Sequence, residues 1–396
     1  MTSLQSKIRQ VKRSAPVRVG FAIAASLALC LHQEVTPADA RSPMPLQLEM
    51  RVSCEPTAFP SAGHTYLAYE LYVTNFTSAP LTLRRIEVRD ADSAAPESIA
   101  GFEGSQLDAL LQPLGFQPPA DASINARQIA AGGSVVIFLW IALDHRAMVP
   151  NKLRHRVFTT DSQEEGATIG THRAELKVLG SPVQGANWLA SDGPSNDQDN
   201  YHRRGIFVFD GRAQISRRFA IDWMQIENGA TFSGDPSDNQ SYHAYGKPVL
   251  AAADATVITA KDGLPDNVPG HNEEFKPAVP LTMESIPGNT IGLDLGRGQY
   301  AYYLHLQQGS LRVKVGDHVR RGEILARIGN SGDAREPHLH FQVSTSSQPL
   351  LGEGVPYLID HYRATLDDNS WEKHTRELPL RNMHLDFGQV AALPAR

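Results

Sequence analysis

The chain has 396 residues, of which 41% are hydrophobic and 20% charged, with a formal net charge of −6 at pH 7. That length and composition allow two or three compact domains with substantial cores. Residues 1–40 hold five basic and two acidic side chains, so the remainder carries 32 Lys and Arg against 41 Asp and Glu, a net of −9; a surface of that sign lacks the basic footprint that phosphate contacts require, which argues against nucleic acid as a partner.

The beginning of the chain reads as a secretion signal. Lys7, Arg9, Lys12, Arg13 and Arg18 precede or enter an apolar run over 19–31, and Ala38-Asp39-Ala40 forms a small-residue cleavage pattern. Export across an inner membrane, to a periplasmic or extracellular location, is therefore expected. The apolar run is shorter than the roughly 20 residues of a bilayer span, so the mature chain is expected to have no membrane span. Leu29 stands where a lipoprotein signal carries a small residue, which argues against a lipid anchor on Cys30. With residues 1–40 removed only Cys54 remains. It can form no intrachain disulfide and is expected to be a small buried hydrophobe.

Residues 45–179 predict an all-β region. Short apolar runs over 46–54, 66–75, 81–89, 134–143 and 174–179 are separated by turn clusters such as Asn75-Phe76-Thr77-Ser78-Ala79-Pro80. In the second run Tyr69, Leu71 and Val73 alternate with Glu70, Tyr72 and Thr74, the pattern of a half-buried strand. An N-terminal immunoglobulin-like β-sandwich fits this spacing, and no histidine or charge constellation gathers in it. A packing or docking module is the expectation.

Residues 180–200 are rich in Gly, Pro, Ser, Asn and Asp and read as a linker, with Trp188 as an aromatic that pins it to the next core. A second all-β domain is expected over 201–362, with 363–396 as a C-terminal extension. Its predicted strands lie over 206–209, 219–224, 249–259, 290–295, 300–306, 311–315, 324–328 and 340–343, and Gly-containing turns separate many of them. The polar stretches 227–247 and 261–282 are too long for hairpin turns, and insertions of that kind commonly shape a site.

Chemistry concentrates in this second domain. His338 and His340, two positions apart at the head of an apolar strand, share a face. Fifteen histidines in 396 residues would produce roughly 0.6 such pairs by chance, so the pair alone decides nothing. Context decides: His305 ends a run of tyrosines, and Asp222 sits inside the apolar run Phe219-Ala220-Ile221-Asp222-Trp223. A carboxylate placed there is costly unless it is paired, hydrogen-bonded or bound to metal.

With these residues in place the sequence resembles the lysostaphin-type zinc metallopeptidases, the peptidoglycan endopeptidases. The matching segments run in order: Ala220-Ile221-Asp222-Trp223, Tyr245-Gly246-Lys247-Pro248, Tyr303-Leu304-His305-Leu306, Val315-Gly316-Asp317, Gly329-Asn330-Ser331-Gly332 and Pro337-His338-Leu339-His340-Phe341. The resemblance implies an antiparallel β metallopeptidase domain holding one Zn2+ per chain. It implies that Asp222 and His340 bind the metal while His305 and His338 face the attacking water and the scissile carbonyl. One departure stands out. The family's first ligand is usually a histidine four residues before the aspartate, and this chain has Arg218 there, which offers only donors. The nearest upstream histidine is His202, and the set His202, Asp222 and His340 would leave an open position, the pattern of a catalytic zinc. In that scheme His338 moves the proton, and His305 hydrogen-bonds the oxyanion or the water. His318, in a turn, is expected to face solvent, and His243 stays outside the site.

The expected function is metal-assisted hydrolysis of peptide bonds in peptidoglycan cross-links. Two alternatives remain at this level: a peptidase of another extracytoplasmic protein, and a degenerate relative that has lost zinc and acts as a binding or activating partner of another wall hydrolase.

Overall fold

The computed structural model describes residues 45–94, 98–114, 125–171, 174–270, 275–366 and 370–388, and the expected secretion signal lies outside them. The described residues are dominated by strands, with one short α-helix, Gly104–Leu110, and one 3-10 turn, Asn239–Ser241. Among them no helix is long and apolar enough to cross a membrane.

The front region consists of two antiparallel sheets. One orders Leu48–Val52, His64–Asn75, Ser134–Asp144 and Leu111–Pro113; the other orders Gln163–Gly170, Lys152–Thr159, Leu81–Asp90 and Ala100–Glu103. Leu71, Val73, Ile137 and Leu139 from the first meet Ile86, Val88, Leu153 and Val157 from the second in one buried core. Burial of such aliphatic side chains is the main stabilising contribution, roughly 1.5–3 kcal/mol for each. The strand Lys152–Thr159 escapes a hydrophobicity reading because Lys152, Arg154 and Arg156 alternate with Leu153, His155 and Val157, the latter three buried.

The expected half-buried strand over 66–75 is covered on both sides. Its Glu70–Tyr72 face lies under the segment that leads into the second β region: Tyr72, Val136 and Phe138 pack with Ile215, and Glu70 pairs with Arg218. Alternation cannot show this, because the cover arrives from more than a hundred residues away. Phe59 and Ala68 also join the core of the large sheet, and the described residues form one compact unit. Cys54 is partly buried and free, and its thiol is pushed up to about 12 by burial.

The second region is built on one large sheet. Its order is Val178–Leu179, Leu358–Thr365, His384–Asp386, Trp188–Ser191, Ile221–Gln225, Leu339–Ser344, Tyr300–Leu306, Asn289–Asp294, Ala255–Lys261 and His318–Val319. The stretches 180–200 and 363–388 therefore both contribute strands to it. The apolar run over 249–259 divides into Pro248–Leu250 and Ala255–Lys261, which belong to different sheets. The stretch 311–315 forms no strand; Leu311 and Val313 still pack on the core, and Arg312 N donates to the Leu325 carbonyl at 2.8 Å. Three adjacent central strands, Ile221–Gln225, Leu339–Ser344 and Tyr300–Leu306, carry the residues of interest.

Candidate metal centre

Strand register creates the first contact. Asp222 lies directly opposite His340 across the antiparallel pair, so both side chains leave the same face of the sheet. His340 Nδ1 is 2.9 Å from Asp222 Oδ1. His338, two positions earlier and on the same face, places Nε2 3.5 Å from the same oxygen.

His305 reaches this face by a different route. Leu304 is the partner of His340 in the register, so regular alternation would point the next residue away. His305 instead has a φ of 63°, which breaks the alternation. Its ring comes to rest 5.0 Å from that of His338 and 5.9 Å from that of His340. A left-handed conformation in a non-glycine residue is costly and is held by its surroundings: His305 N donates to the Pro287 carbonyl, and Nδ1 lies 2.8 Å from the Ser331 carbonyl. Gly329 and Gly332 make that last contact possible, because a side chain at either would collide with the neighbouring backbone of Gln307 or Gly288.

The loop after Trp188–Ser191 delivers His202, whose Nε2 lies 3.4 Å from Asp222 Oδ2 and whose ring is 4.8 Å from that of His340. Arg218 does not approach Asp222 as a partner; its Nε donates to Glu70 at 2.8 Å. The structure thus gathers all five expected residues, His202, Asp222, His305, His338 and His340, at one place. The four histidines are buried, and the Asp222 side chain keeps 14% exposure. His318 is exposed, and His243 lies in the insertion, 3.8 Å from Glu227.

Each histidine has one nitrogen tied down and the other turned inward. Nδ1 of His202 sits 2.7 Å from the Asp192 carbonyl, Nδ1 of His305 on Ser331, and Nδ1 of His338 2.8 Å from the Glu336 carbonyl. A carbonyl only accepts, so those nitrogens carry a proton, and in the neutral rings the three Nε2 atoms carry the lone pairs. His340 is reversed: its Nε2 lies 2.9 Å from Gln342 Oε1, and the Gln342 amide is oriented by donating to the Pro349 carbonyl at 2.7 Å. Gln342 follows His340 by two positions and so shares its face; the alternation that pairs His338 with His340 also points to it.

Electrostatics suit a cation. Burial alone would raise the Asp222 carboxyl, but His202 and His338 and the hydrogen bonds from His202 and His340 hold it well below the usual carboxylate range. Burial, with His338 and His340 alongside, pushes the His305 imidazole well below its usual value. Burial also lowers His340, against the pull of Asp222. For His202 the opposing burial is outweighed by the Asp222 carboxylate, and its pKa is raised. His340 has an oxygen acceptor on each ring nitrogen and, as a neutral ring, one proton to offer. A cation between Nδ1 and the carboxylate resolves that conflict. One ligand atom each from His202, Asp222 and His340 lie within 4.8 Å of one another, and two N and one O donor with a free side is a donor set that suits a catalytic zinc.

The two insertions hold each other: Asn239 Nδ2 donates to the Asn267 carbonyl at 2.7 Å, and Tyr245 OH donates to Asp266 at 2.8 Å. Thr231 Oγ1 of the first donates at 3.0 Å to Glu336, whose carbonyl anchors His338.

Comparison with known proteins gives part of the chain a family. Residues 240–351 match the model of Peptidase family M23, a span that includes His305, His338 and His340 and excludes His202 and Asp222. Lysostaphin of Staphylococcus simulans is 39% identical over 74 residues, which are 18% of this chain and 15% of lysostaphin. Glycyl-glycine endopeptidase ALE-1 of Staphylococcus capitis is 44% identical over 61 residues, 15% of this chain and 16% of that protein. The chain thus spans about a sixth of the length of the curated relatives it matches. The solved catalytic domain of lysostaphin from S. simulans overlays 41% of this chain and 86% of its own length at 21% identity, with a TM-score of 0.22. On the sequence matches, residues 240–351 belong to peptidase family M23 and resemble lysostaphin and ALE-1.

Proposed function

We propose that this chain is a zinc-dependent endopeptidase that hydrolyses peptide bonds in peptidoglycan cross-links, with residues 1–40 directing its export to the periplasm or the exterior. The observation that carries this reading is the convergence of five side chains whose inward atoms can all accept once the rings are neutral, each histidine fixed by a separate anchor on its other nitrogen. His202, Asp222 and His340 would hold one zinc. Zinc supplies Lewis acidity at such a site, polarising an amide carbonyl and making hydroxide available near neutral pH.

The remaining work belongs to the chain. His338, with its Nδ1 proton committed to Glu336, presents Nε2 as the base that takes a proton from water and returns it to the leaving amine. His305 is neutral, with its proton committed to Ser331, so its Nε2 can only accept. This favours orientation of the attacking water over donation to an oxyanion. The front sandwich, which we read as immunoglobulin-like, buttresses the site's approach loop.

Metal analysis of purified protein, combined with incubation on purified peptidoglycan and on an unstructured protein, tests the reading. One zinc per chain and release of wall cross-links are expected. Cleavage confined to the soluble protein would make it a peptidase of other extracytoplasmic substrates, and zinc-free, inactive protein would leave the role of partner to another wall hydrolase.

A further inference from the structure

We infer that Arg218, at the position where a first ligand is expected, acts as a positioning residue: with Glu70 it clamps the loop that brings His202 to the metal, so that the front sandwich becomes a structural part of the centre. This rests on the reading of His202 as a ligand.

The loop from Asp192 to Gly205 carries His202 and belongs to no described strand. A ligand on such a segment needs external support, since metal ligands depend on the groups that orient them. Arg218 gives that support with all three of its guanidinium nitrogens. Nε donates to Glu70 on the front strand at 2.8 Å, one terminal nitrogen donates to the Ser195 carbonyl at 2.8 Å, and the other donates to Asn196 Oδ1 at 3.1 Å. The Arg218 side chain is 3% exposed and that of Glu70 11%, so loss of one partner would leave the other buried and uncompensated. Trp140 of the front sheet lies under the guanidinium at 5.4 Å.

Further bonds between loop and sandwich follow the same direction. Asn196 Nδ2 donates to the Phe138 carbonyl at 2.9 Å, and Arg203, next to His202, donates to the Ala109 carbonyl at 2.9 Å and covers the Phe138 ring. Asn200 Oδ1 accepts from the backbone N–H of both His202 and Arg203. Arg381 pairs with Asp192, whose carbonyl fixes the His202 ring. The ligand and the arginine therefore form a matched exchange. Histidine is removed from the strand approach and supplied by a loop, and the vacated position carries the residue that holds that loop.

The test measures zinc affinity of the full-length chain by competition with a chelator, for Arg218→Met, Asn196→Ala, Glu70→Gln and Val73→Ala, and for Arg218→Met combined with His202→Ala. Arg218→Met is expected to weaken zinc binding about tenfold to a hundredfold, with a smaller loss in Asn196→Ala. Glu70→Gln, which keeps an acceptor for Nε, should stay nearer the parent. Val73→Ala, which destabilises the front core away from the loop, should keep parental affinity. In the His202→Ala background Arg218→Met should cost nothing more, because it acts through His202. Parental affinity in both Arg218→Met and Asn196→Ala, or an equal loss with and without His202, would overturn the inference. Should Arg218→Met not fold, Asn196→Ala decides. A parent chain that takes up no zinc would instead sink the metal reading itself, an outcome distinguishable from the others.

Discussion

Two regions of this molecule bury histidine, and they do so in opposite ways. In the front sandwich His155 is fully buried, with Nδ1 2.7 Å from the Ala167 carbonyl and Nε2 2.8 Å from Tyr69 OH. The carbonyl fixes the proton on Nδ1, the tyrosine donates to Nε2, and the ring is saturated as a neutral group. At the candidate metal centre each of four buried histidines spends one nitrogen on an anchor and aims the other at Asp222 or at its neighbours. Burial and perturbed titration are common to both regions. What separates structure from chemistry is the second nitrogen: saturated in His155, left for a ligand or a proton in the others.

The sharpest way to break this comparison is to remove the inward nitrogens one at a time. His338→Ala should keep zinc and lose activity by at least about a hundredfold, whereas His340→Ala should lose both, read by metal content and wall hydrolysis together. Equal zinc loss in the two variants would mean that the roles are misassigned.

Anchors come next in size. Gln342→Leu removes the group that fixes the His340 ring and should weaken zinc binding about tenfold to a hundredfold; an unchanged chelator competition would show that Gln342 is mere packing. The corresponding change in the front region, Tyr69→Phe, should leave zinc untouched.

Acidity separates the two regions in a third way. Burial depresses His155 to about 4. Its contribution to stability is present above the unfolded value near 6.5 and is lost as pH falls toward 4, at most about 3 kcal/mol in total. Denaturant titration of the parent and His155→Gln between pH 7 and 4 should show a flatter pH dependence in the variant. In the centre the sign differs, because Asp222 raises His202. A proton then competes for the nitrogen that would bind metal, so zinc affinity should begin to fall at a higher pH than an ordinary imidazole, near 6.5, would impose; affinity flat from pH 8 to 5 would remove His202 from the ligand set.

The smallest expected effect is on stability alone. Tyr69→Phe deletes one buried hydrogen bond and leaves His155 Nε2 without its donor, which should cost about 1–2 kcal/mol. A loss of enzymatic activity larger than the loss of folded protein would show that the front core communicates with the site by more than support.

Much of the centre was legible in the order of residues. The alternation of a strand puts His338 and His340 on one face, and the cost of a carboxylate in an apolar run singles out Asp222; both follow from local geometry and desolvation, which act over a few residues. The all-β class was legible for the same reason, although charged residues hid the strand Lys152–Thr159. Tertiary structure alone decided the rest. Which strand lies beside which sets Asp222 opposite His340. A left-handed backbone turns His305 back toward them, and a loop twenty residues upstream of Asp222 brings in His202. The pairing of Arg218 with Glu70 spans 148 positions of sequence. No periodicity encodes such a contact, because its energy depends on burial that exists only once the two β regions have packed together.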